Sequence, residues 1–201
     1  SFIYVDTGAM YRTIALGLLR AGTDIEDEAA LKRQLSDIEV TISYENGAQQ
    51  VFLNGENVTG LIRTEQVSDM TSRSSAKPQV REKLTELQRT LAKKEDVLMD
   101  GRDIGTMILP DAQLKIFLTA SVKTRAERRY KEQIEKGESC TLEEIERDIE
   151  ERDYRDSHRE TAPLRQAEDA VLVDSSDMTI DEVVTEIVAL ARERMQMATC
   201  R

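Results

Sequence analysis

The sequence predicts an α/β protein in which helices cover both faces of a parallel sheet. Short apolar segments alternate with longer segments whose apolar residues recur at helical spacing, and helix-capping or turn-forming residues separate them. With 201 residues, the chain is long enough for one well-buried domain that carries a small insertion.

The first half of the chain is predicted to contain one strand, four helices and a small antiparallel insertion. Two Asn-Gly pairs, at Asn46 and Asn54, predict tight hairpins because both residue types tolerate the positive φ that such turns need. They place a β insertion at about residues 38–60. The strand covers residues 2–5, and the helices cover about residues 7–22, 27–35, 65–76 and 78–94, the last beginning at Pro78.

The second half is predicted to contain three strands and three helices. The strands are apolar segments at residues 96–100, 114–118 and 170–174. Ser121 is the predicted cap of a charged helix that runs to about residue 136. Thr141 with Glu144 has capping-box spacing and opens a helix to about Arg159, and Thr179 with Glu182 caps the last helix, to about Met195.

Charge and residue counts exclude several classes of function. The formal net charge is -11, whereas a general nucleic-acid-binding surface needs basic patches. The cysteines are Cys140 and Cys200 and the single histidine is His158, which indicates no disulfide framework, zinc site or Ser-His-Asp hydrolase. The first residues do not resemble a signal peptide. We therefore expect a cytoplasmic protein that binds a small phosphorylated ligand, with neither a nucleic acid polymer nor a membrane as partner.

Charged residues directly follow the strand predicted to end at Asp100. The sequence Asp100-Gly101-Arg102-Asp103 stands at its carboxyl end, where the ligand crevices of open α/β sheets lie. A carboxylate there can organise Mg²⁺ through water, and an arginine can neutralise a phosphoryl oxygen. An ordinary strand-to-loop turn with a surface ion pair explains the same four residues.

Thr7, Tyr11 and Arg12 begin the helix after the first strand. Backbone N–H groups and the helix dipole favour an anion at such a position, and Arg12 adds a full positive charge. The alternative is that Thr7 is only the N-cap and Tyr11 only a core residue.

Arg152, Asp156 and Arg159 are spaced to lie on one face of a predicted helix. Such a face can hold a phosphate and a sugar hydroxyl together. The alternative is a solvated helix with ion pairs along its surface. The same two interpretations apply to a cluster one helix earlier, formed by Arg125, Arg128 and Arg129.

Taken together and in order, these segments resemble those of bacterial cytidylate kinases, which are nucleoside monophosphate kinases. The similarity runs from about Tyr4 to about Met195. It implies a three-layer P-loop NTPase fold with a parallel five-stranded sheet and a helical lid at about residues 125–160. It also implies a single kinase domain over residues 1–201, in which residues 23–92 form the region that binds the nucleoside monophosphate.

The resemblance further implies the reaction and the residues that take part in it. The reaction is the ATP-dependent, in-line phosphorylation of CMP and dCMP with Mg²⁺, by a protein that we expect to be a monomer. The implied substrate-binding residues are Thr7, Tyr11, Arg12, Ser72, Arg81, Arg102, Asp103, Arg152, Asp156 and Arg159, of which Ser72, Arg81 and Asp103 read the cytosine edge. The implied catalytic residues are Arg102, Arg152, Arg159, Arg128, Arg129 and Asp100, with Asp100 organising Mg²⁺ through water.

One part of the family pattern does not occur in the sequence, namely a Gly-rich phosphate loop. We expect the natural protein to have residues before Ser1 that supply this loop and a strand between the strands at 96–100 and 114–118. Without that strand, two strand edges would leave buried backbone groups unpaired. A chain without these residues is expected to bind CMP weakly and to transfer no phosphate.

Two other functions compete with this interpretation. One is a non-catalytic nucleotide-binding or partner-binding module that lacks an ATP site. The other is a kinase for a different small substrate, since many kinases share this type of sheet.

Overall fold

A computed structural model describes residues 2–199, and the chain divides into two compact units, Ser1–Ile104 and Gly105–Arg201. Cys200 lies outside the described residues. The first unit contains β1 (Ile3–Asp6), α1 (Thr7–Arg20), α2 (Glu28–Asp37), β2 (Val40–Glu45), β3 (Ala48–Leu53), β4 (Glu56–Asn57), α3 (Glu65–Ser74), α4 (Pro78–Lys94) and β5 (Val97–Asp100). A π-helical turn, Ile104–Ile108, begins at the end of this unit, and the second unit contains β6 (Ile116–Thr119), α5 (Val122–Glu135), α6 (Leu142–His158), β7 (Val171–Asp174) and α7 (Ile180–Thr199).

The parallel strands predicted from the sequence are present as two separate pairs. In the first unit, β1 and β5 are parallel, with Asp6 opposite Asp100. In the second unit, β6 and β7 are parallel, with Thr119 opposite Asp174. The α/β architecture with parallel pairing is therefore confirmed. The described residues 2–199 contain these two-stranded sheets and not a five-stranded one.

The β insertion predicted from the two Asn-Gly pairs is also confirmed. β2, β3 and β4 form an antiparallel sheet. Asn46 and Gly47, between β2 and β3, have φ values of 52° and 78°, and Asn54 and Gly55, between β3 and β4, have values of 50° and 83°. Each turn thus has positive φ at both central residues, as type I′ hairpins require.

The larger hydrophobic core belongs to the first unit and forms around α1. Met10, Ile14 and Leu18 recur every four residues along α1 and have no exposed surface. Each such side chain contributes about 1.5–3 kcal/mol of burial free energy. Val80 and Leu84 of α4 join the same core, and the core fixes the position of α1 and therefore of its N-terminal residues. None of the helices within residues 2–199 is long and apolar enough to cross a membrane.

The second unit has a smaller buried cluster between α5 and α6. Ala126 is fully buried, and Ile145 and Ile149 are 5% and 8% exposed. The capping box predicted for α6 is present, because the Thr141 side chain accepts from the Glu144 backbone and the Glu144 side chain accepts from the Thr141 backbone. Because α5 and α6 pack against each other, the arginines of both helices belong to the second unit.

Three local features differ from the sequence-based expectations. The N-cap of α1 is Asp6 rather than Thr7, because the Asp6 side chain accepts from the Ala9 backbone N–H. The helix predicted to reach Arg159 ends at His158, and Arg159 has an extended backbone with ψ 143°. The π-helical turn after Asp103 was not predicted, because an apolar sequence of this length has no pattern that distinguishes it from a loop.

Candidate functional site

The ends of β1 and β5 and the beginning of α1 meet at one point in the first unit. The Thr7 hydroxyl donates to the backbone carbonyl of Asp100 at 2.6 Å. Gly101 allows this approach, since a Cβ there would lie 2.5 Å from Thr7 Oγ1. The N-terminus of a helix therefore lies beside the carboxyl end of a parallel strand, an arrangement that suits an anion.

The Asp100 carboxylate lies at this junction. The Tyr4 hydroxyl donates to Asp100 Oδ2, so the side chain has a fixed orientation. Desolvation raises the pKa of Asp100, and the nearby Asp6 carboxylate adds to that increase, whereas the Tyr4 hydrogen bond and Arg102 oppose it. Desolvation and the hydrogen bond to the Asp100 carboxylate also raise the pKa of Tyr4.

Arg12 extends from α1 towards α3. Its guanidinium donates to Ser68 Oγ at 2.8 Å and to the Ile62 carbonyl at 3.3 Å. Both acceptors are uncharged oxygens that fix the direction of the side chain. Nearby, Arg63 forms an ion pair with Asp6 at 3.3 Å, with 70% of the arginine side chain exposed.

Three of the predicted site residues form a polar cluster, in which Arg81 and Asp103 are buried and Tyr11 is half-buried. The Arg81 guanidinium donates to Asp103 Oδ2, and their side chains are only 7% and 6% exposed. Arg81 also donates to the Ser75 carbonyl at 3.1 Å. Its guanidinium carbon lies 5.5 Å from the centroid of the Tyr11 ring, within the range of a cation–π contact. Tyr11, Arg81 and Asp103 thus form one polar group inside the first unit.

The remaining predicted residues of this unit make fewer defined contacts. Arg102 is exposed and close enough to Asp100 to lower its pKa. Ser72 is half-buried on α3, and its backbone carbonyl accepts from the Ser75 hydroxyl. The structure gives no local reason to single out Ser72, which entered the prediction through the resemblance alone.

In the second unit, Asp156 lies between two of the predicted arginines. Its carboxylate oxygens are 3.9 Å from Arg152 Nε and 3.8 Å from a terminal guanidinium nitrogen of Arg159. The end of α6 at His158 does not separate the three residues, because Arg159 is held by a 2.7 Å hydrogen bond from its Nε to the Ala162 carbonyl. The structure therefore groups Arg152, Asp156 and Arg159, although not on one continuous helix.

The three arginines of α5 differ in their surroundings. Arg125 forms two hydrogen bonds to the Asp153 carboxylate of α6, at 3.0 and 2.6 Å. Arg128 donates to the Ser175 carbonyl at 2.6 Å and to the Met178 carbonyl at 3.0 Å. The Arg129 side chain is exposed.

Several residues that support the site were not found from the sequence. They are Tyr4, which orients Asp100, Ser68, which holds Arg12, and Gln49, which bonds to the backbone of Asp6. Each contact joins residues more than 40 positions apart, so no local pattern could have indicated it. Among residues 2–199, no group of three or more His, Cys, Asp or Glu side chains could hold a metal ion.

A helix N-terminus beside the carboxyl end of a parallel strand is typical of α/β proteins that bind phosphorylated molecules. Comparison with known proteins gives the family. The sequence model of the family described as Cytidylate kinase matches residues 1–193. This chain therefore belongs to the cytidylate kinase family, and the resemblance drawn from its motifs is confirmed.

Curated relatives agree with this assignment. A cytidylate kinase of Ligilactobacillus salivarius (strain UCC118) is 50% identical over 193 residues, which cover 96% of this chain and 86% of that protein. A cytidylate kinase of Geobacillus thermodenitrificans (strain NG80-2) is 47% identical over 97% of this chain and 87% of its own length. A third, from Carboxydothermus hydrogenoformans, is 46% identical over 94% of this chain and 86% of its own length.

Proposed function

We propose that this protein is a phosphotransferase that moves the γ-phosphoryl group of ATP to CMP and dCMP. The main support is a single observation in a chain of the cytidylate kinase family: the buried pair Arg81 and Asp103 forms a polar cluster with the half-buried Tyr11, in the same unit as the α1 N-terminus. A base and a monophosphate can therefore be recognised by residues of one unit.

The proposed ligand of the cytosine exocyclic amine is the Asp103 carboxylate. A carboxylate has two oxygens that accept several hydrogen bonds, so Asp103 can hold Arg81 and also accept from the amine. Uracil has a carbonyl at that position and would leave the buried carboxylate facing another acceptor, which can give large discrimination. In this proposal Arg81 and Ser72 read the remaining polar atoms of the cytosine.

The monophosphate is proposed to lie at the beginning of α1. The backbone N–H groups of Thr7 and Gly8 supply donors, and Arg12 and Arg102 supply positive charge. Tyr11 lies one turn further along α1 and contacts Arg81, which would place it beside the nucleotide. The acceptors Ser68 and Ile62 already orient Arg12, which lowers the entropy cost of binding.

The second unit is proposed to supply the residues for the ribose and the transferring phosphoryl group. Arg152, Asp156 and Arg159 have this role because an acid flanked by two guanidinium groups suits a sugar hydroxyl next to a phosphate. Between the two candidate lid arginines, the contacts favour Arg129 over Arg128, since Arg128 is engaged with two backbone carbonyls. Residues 125–160 would form the lid, and residues 23–92 the region around the monophosphate.

Catalysis by this set needs positioning and charge rather than covalent chemistry. Phosphoryl transfer spreads negative charge over the moving group, so that Arg102, Arg152 and Arg159 can stabilise it without a general base. Exclusion of water by the lid would limit hydrolysis of ATP.

Mg²⁺ and the P-loop type of fold are further parts of the proposal. Mg²⁺ usually binds one or two carboxylates together with water and substrate phosphates. The single carboxylate of Asp100 is therefore enough to hold Mg²⁺ through water when the substrate phosphates are bound. The ion would neutralise phosphate charge when bound. The parallel pairing of β1 with β5 and of β6 with β7 supports the P-loop fold. We also propose that the protein acts as a monomer on small nucleotides only.

The test is a coupled assay on the full-length natural protein, with ATP and each of CMP, dCMP, UMP and AMP. We expect transfer to CMP and dCMP and little to UMP or AMP. Asp103→Asn, which keeps the shape of the side chain but adds a donor, should reduce the preference for CMP over UMP by at least about tenfold. Unchanged preference in both Asp103→Asn and Asp103→Ala would exclude Asp103 from cytosine recognition. Binding of CMP without any transfer would instead indicate a non-catalytic module.

A further inference from the structure

Two side chains of the β insertion bind one edge of β1. Tyr44 and Gln49 are opposite each other in the register of β2 and β3, so they project from the same face of the insertion. The Tyr44 hydroxyl donates to the Tyr4 carbonyl at 2.7 Å. Gln49 Oε1 accepts from the Asp6 N–H at 2.9 Å, and Gln49 Nε2 donates to the Asp6 carbonyl at 3.2 Å.

These contacts replace a neighbouring strand. β1 uses its other edge to pair with β5, beginning with the hydrogen bond from Ile3 N–H to the Asp96 carbonyl at 2.9 Å. The backbone groups of Tyr4 and Asp6 face the opposite edge, where unpaired donors and acceptors are costly. The carboxamide of Gln49 has the donor and acceptor of a peptide group, and it satisfies both backbone groups of Asp6 at once.

Asp6 is the residue at which β1 ends and α1 begins. Its carboxylate caps α1 by accepting from Ala9 N–H at 3.0 Å, and the next residue, Thr7, donates to the Asp100 carbonyl. A fixed Asp6 backbone therefore fixes the direction of the Thr7 and Gly8 N–H groups, which begin α1. A small rotation at Asp6 would turn these N–H groups away from a bound anion.

We propose that Gln49 is a positioning residue for the monophosphate of the substrate. Its carboxamide holds Asp6 so that the N-terminus of α1 faces the phosphate, and the β insertion thereby sets the geometry of the phosphate subsite. This inference rests on the proposed function, in which that helix terminus receives CMP. Gln49 contacts no substrate atom in this proposal and acts through Asp6.

The test compares Gln49→Ala with Gln50→Ala. Gln50 is the same residue type in the next position of β3, where its Oε1 accepts from Asn57 instead of contacting β1. Calorimetry on the whole protein gives the dissociation constants of CMP and of cytidine, which lacks the phosphate. We expect Gln49→Ala to weaken CMP binding roughly tenfold, as the loss of two hydrogen bonds allows, and to leave cytidine binding unchanged. Gln50→Ala should leave both unchanged.

Backbone amide exchange in the ligand-free protein is a second readout. Gln49→Ala should accelerate exchange at residues 6–9, and Gln50→Ala should not. An equal loss of CMP and cytidine affinity in Gln49→Ala, or no loss of either, would overturn the inference. If the unaltered protein binds no CMP, the proposed function fails; exchange at residues 6–9 that does not respond to Gln49→Ala then overturns the role of Gln49 separately.

Discussion

Arg81 and Asp103 are an ion pair removed from water, with side chains 7% and 6% exposed. A buried pair of this kind contributes little over apolar residues, but removing one partner leaves the other charge buried and uncompensated. We expect Asp103→Ala to lower the free energy of unfolding by about 3–5 kcal/mol, and Arg81→Met with Asp103→Ala together to cost less than the sum of the single changes. Urea unfolding of the four proteins measures this. Additive costs would mean that the pair is not coupled.

Gly101 is a second residue whose role depends on a contact with a residue distant in the sequence, Thr7. A Cβ at this position would lie 2.5 Å from Thr7 Oγ1 and 2.9 Å from Ile104 Cγ1. We expect Gly101→Ala to destabilise the protein by about 1–3 kcal/mol, because Thr7 must give up its bond to Asp100. Gly60→Ala is the control, since a Cβ at Gly60 meets nothing within 4 Å. Equal unfolding midpoints for the two variants would show that Thr7 and Gly101 are not closely packed.

At the level of single residues, the sequence indicated the charges of the site but not what orients them. Asp100 and Arg102 could be predicted because they follow an apolar strand, and Arg12 because it begins a helix. Tyr4 and Gln49 could not, since each acts through a hydrogen bond to a residue distant in the chain. Such contacts depend on strand register, which one sequence does not determine.

Among the elements, the beginning of α7 has a capping box with a measurable pH dependence. The Glu182 carboxylate accepts from the Thr179 backbone N–H at 2.7 Å and from its hydroxyl at 2.9 Å, and these two bonds hold its pKa below the usual value. A lowered pKa stabilises the folded state above the pKa of the unfolded chain, about 4.3. This contribution is lost as the pH falls through the folded-state pKa.

We therefore expect Glu182→Gln to lower stability at pH ~7 and to have a smaller effect below pH ~4, where the carboxylate of the unaltered protein is also protonated. Glu186→Gln, one turn further along α7, removes the same charge without a capping contact. Urea unfolding at both pH values gives the comparison. A loss from Glu182→Gln that does not depend on pH would show that charge at this cap is unimportant.

Helix and turn boundaries were predictable where a side chain determines them. Pro78 begins α4, Thr141 caps α6, and the two Asn-Gly pairs form the hairpins of the insertion. The end of α6 was predicted at about Arg159 and lies at His158, but the direction of the chain at Arg159 was not predicted, because it depends on the bond from Arg159 to the Ala162 carbonyl. Helical spacing alone could not reveal that change of direction.

For the whole molecule, the order of the motifs carried more information than any one of them. The Asp100-Gly101-Arg102-Asp103 sequence alone could equally be an ordinary turn. Arg152 and Arg159 alone could equally belong to a solvated helix face. Their joint order indicated the cytidylate kinase family, which the family match over residues 1–193 confirms. The division after Ile104 was not predicted from the sequence. The residues proposed for the base and the monophosphate belong to the first unit, and those proposed for the ribose belong to the second.

Ligand binding leads to a prediction for the stability of the whole protein. A ligand that binds only the folded state adds about 2.7 kcal/mol at a concentration 100 times its dissociation constant. We expect CMP to raise the unfolding temperature and Arg12→Ala to reduce this increase, because Arg12 is proposed to bind the phosphate. The exposed Arg33 on α2 provides the control Arg33→Ala, which removes the same charge from the same unit.

The comparison with cytidine separates phosphate binding from general destabilisation. Cytidine should stabilise the unaltered protein, Arg12→Ala and Arg33→Ala to the same extent, since it carries no phosphate for Arg12 to bind. Only the response to CMP should differ, and only in Arg12→Ala. If Arg33→Ala reduced the stabilisation by CMP as much as Arg12→Ala does, the net charge of the protein would attract CMP, rather than a phosphate site at the beginning of α1. Long-range attraction would weaken equally when either positive charge is removed.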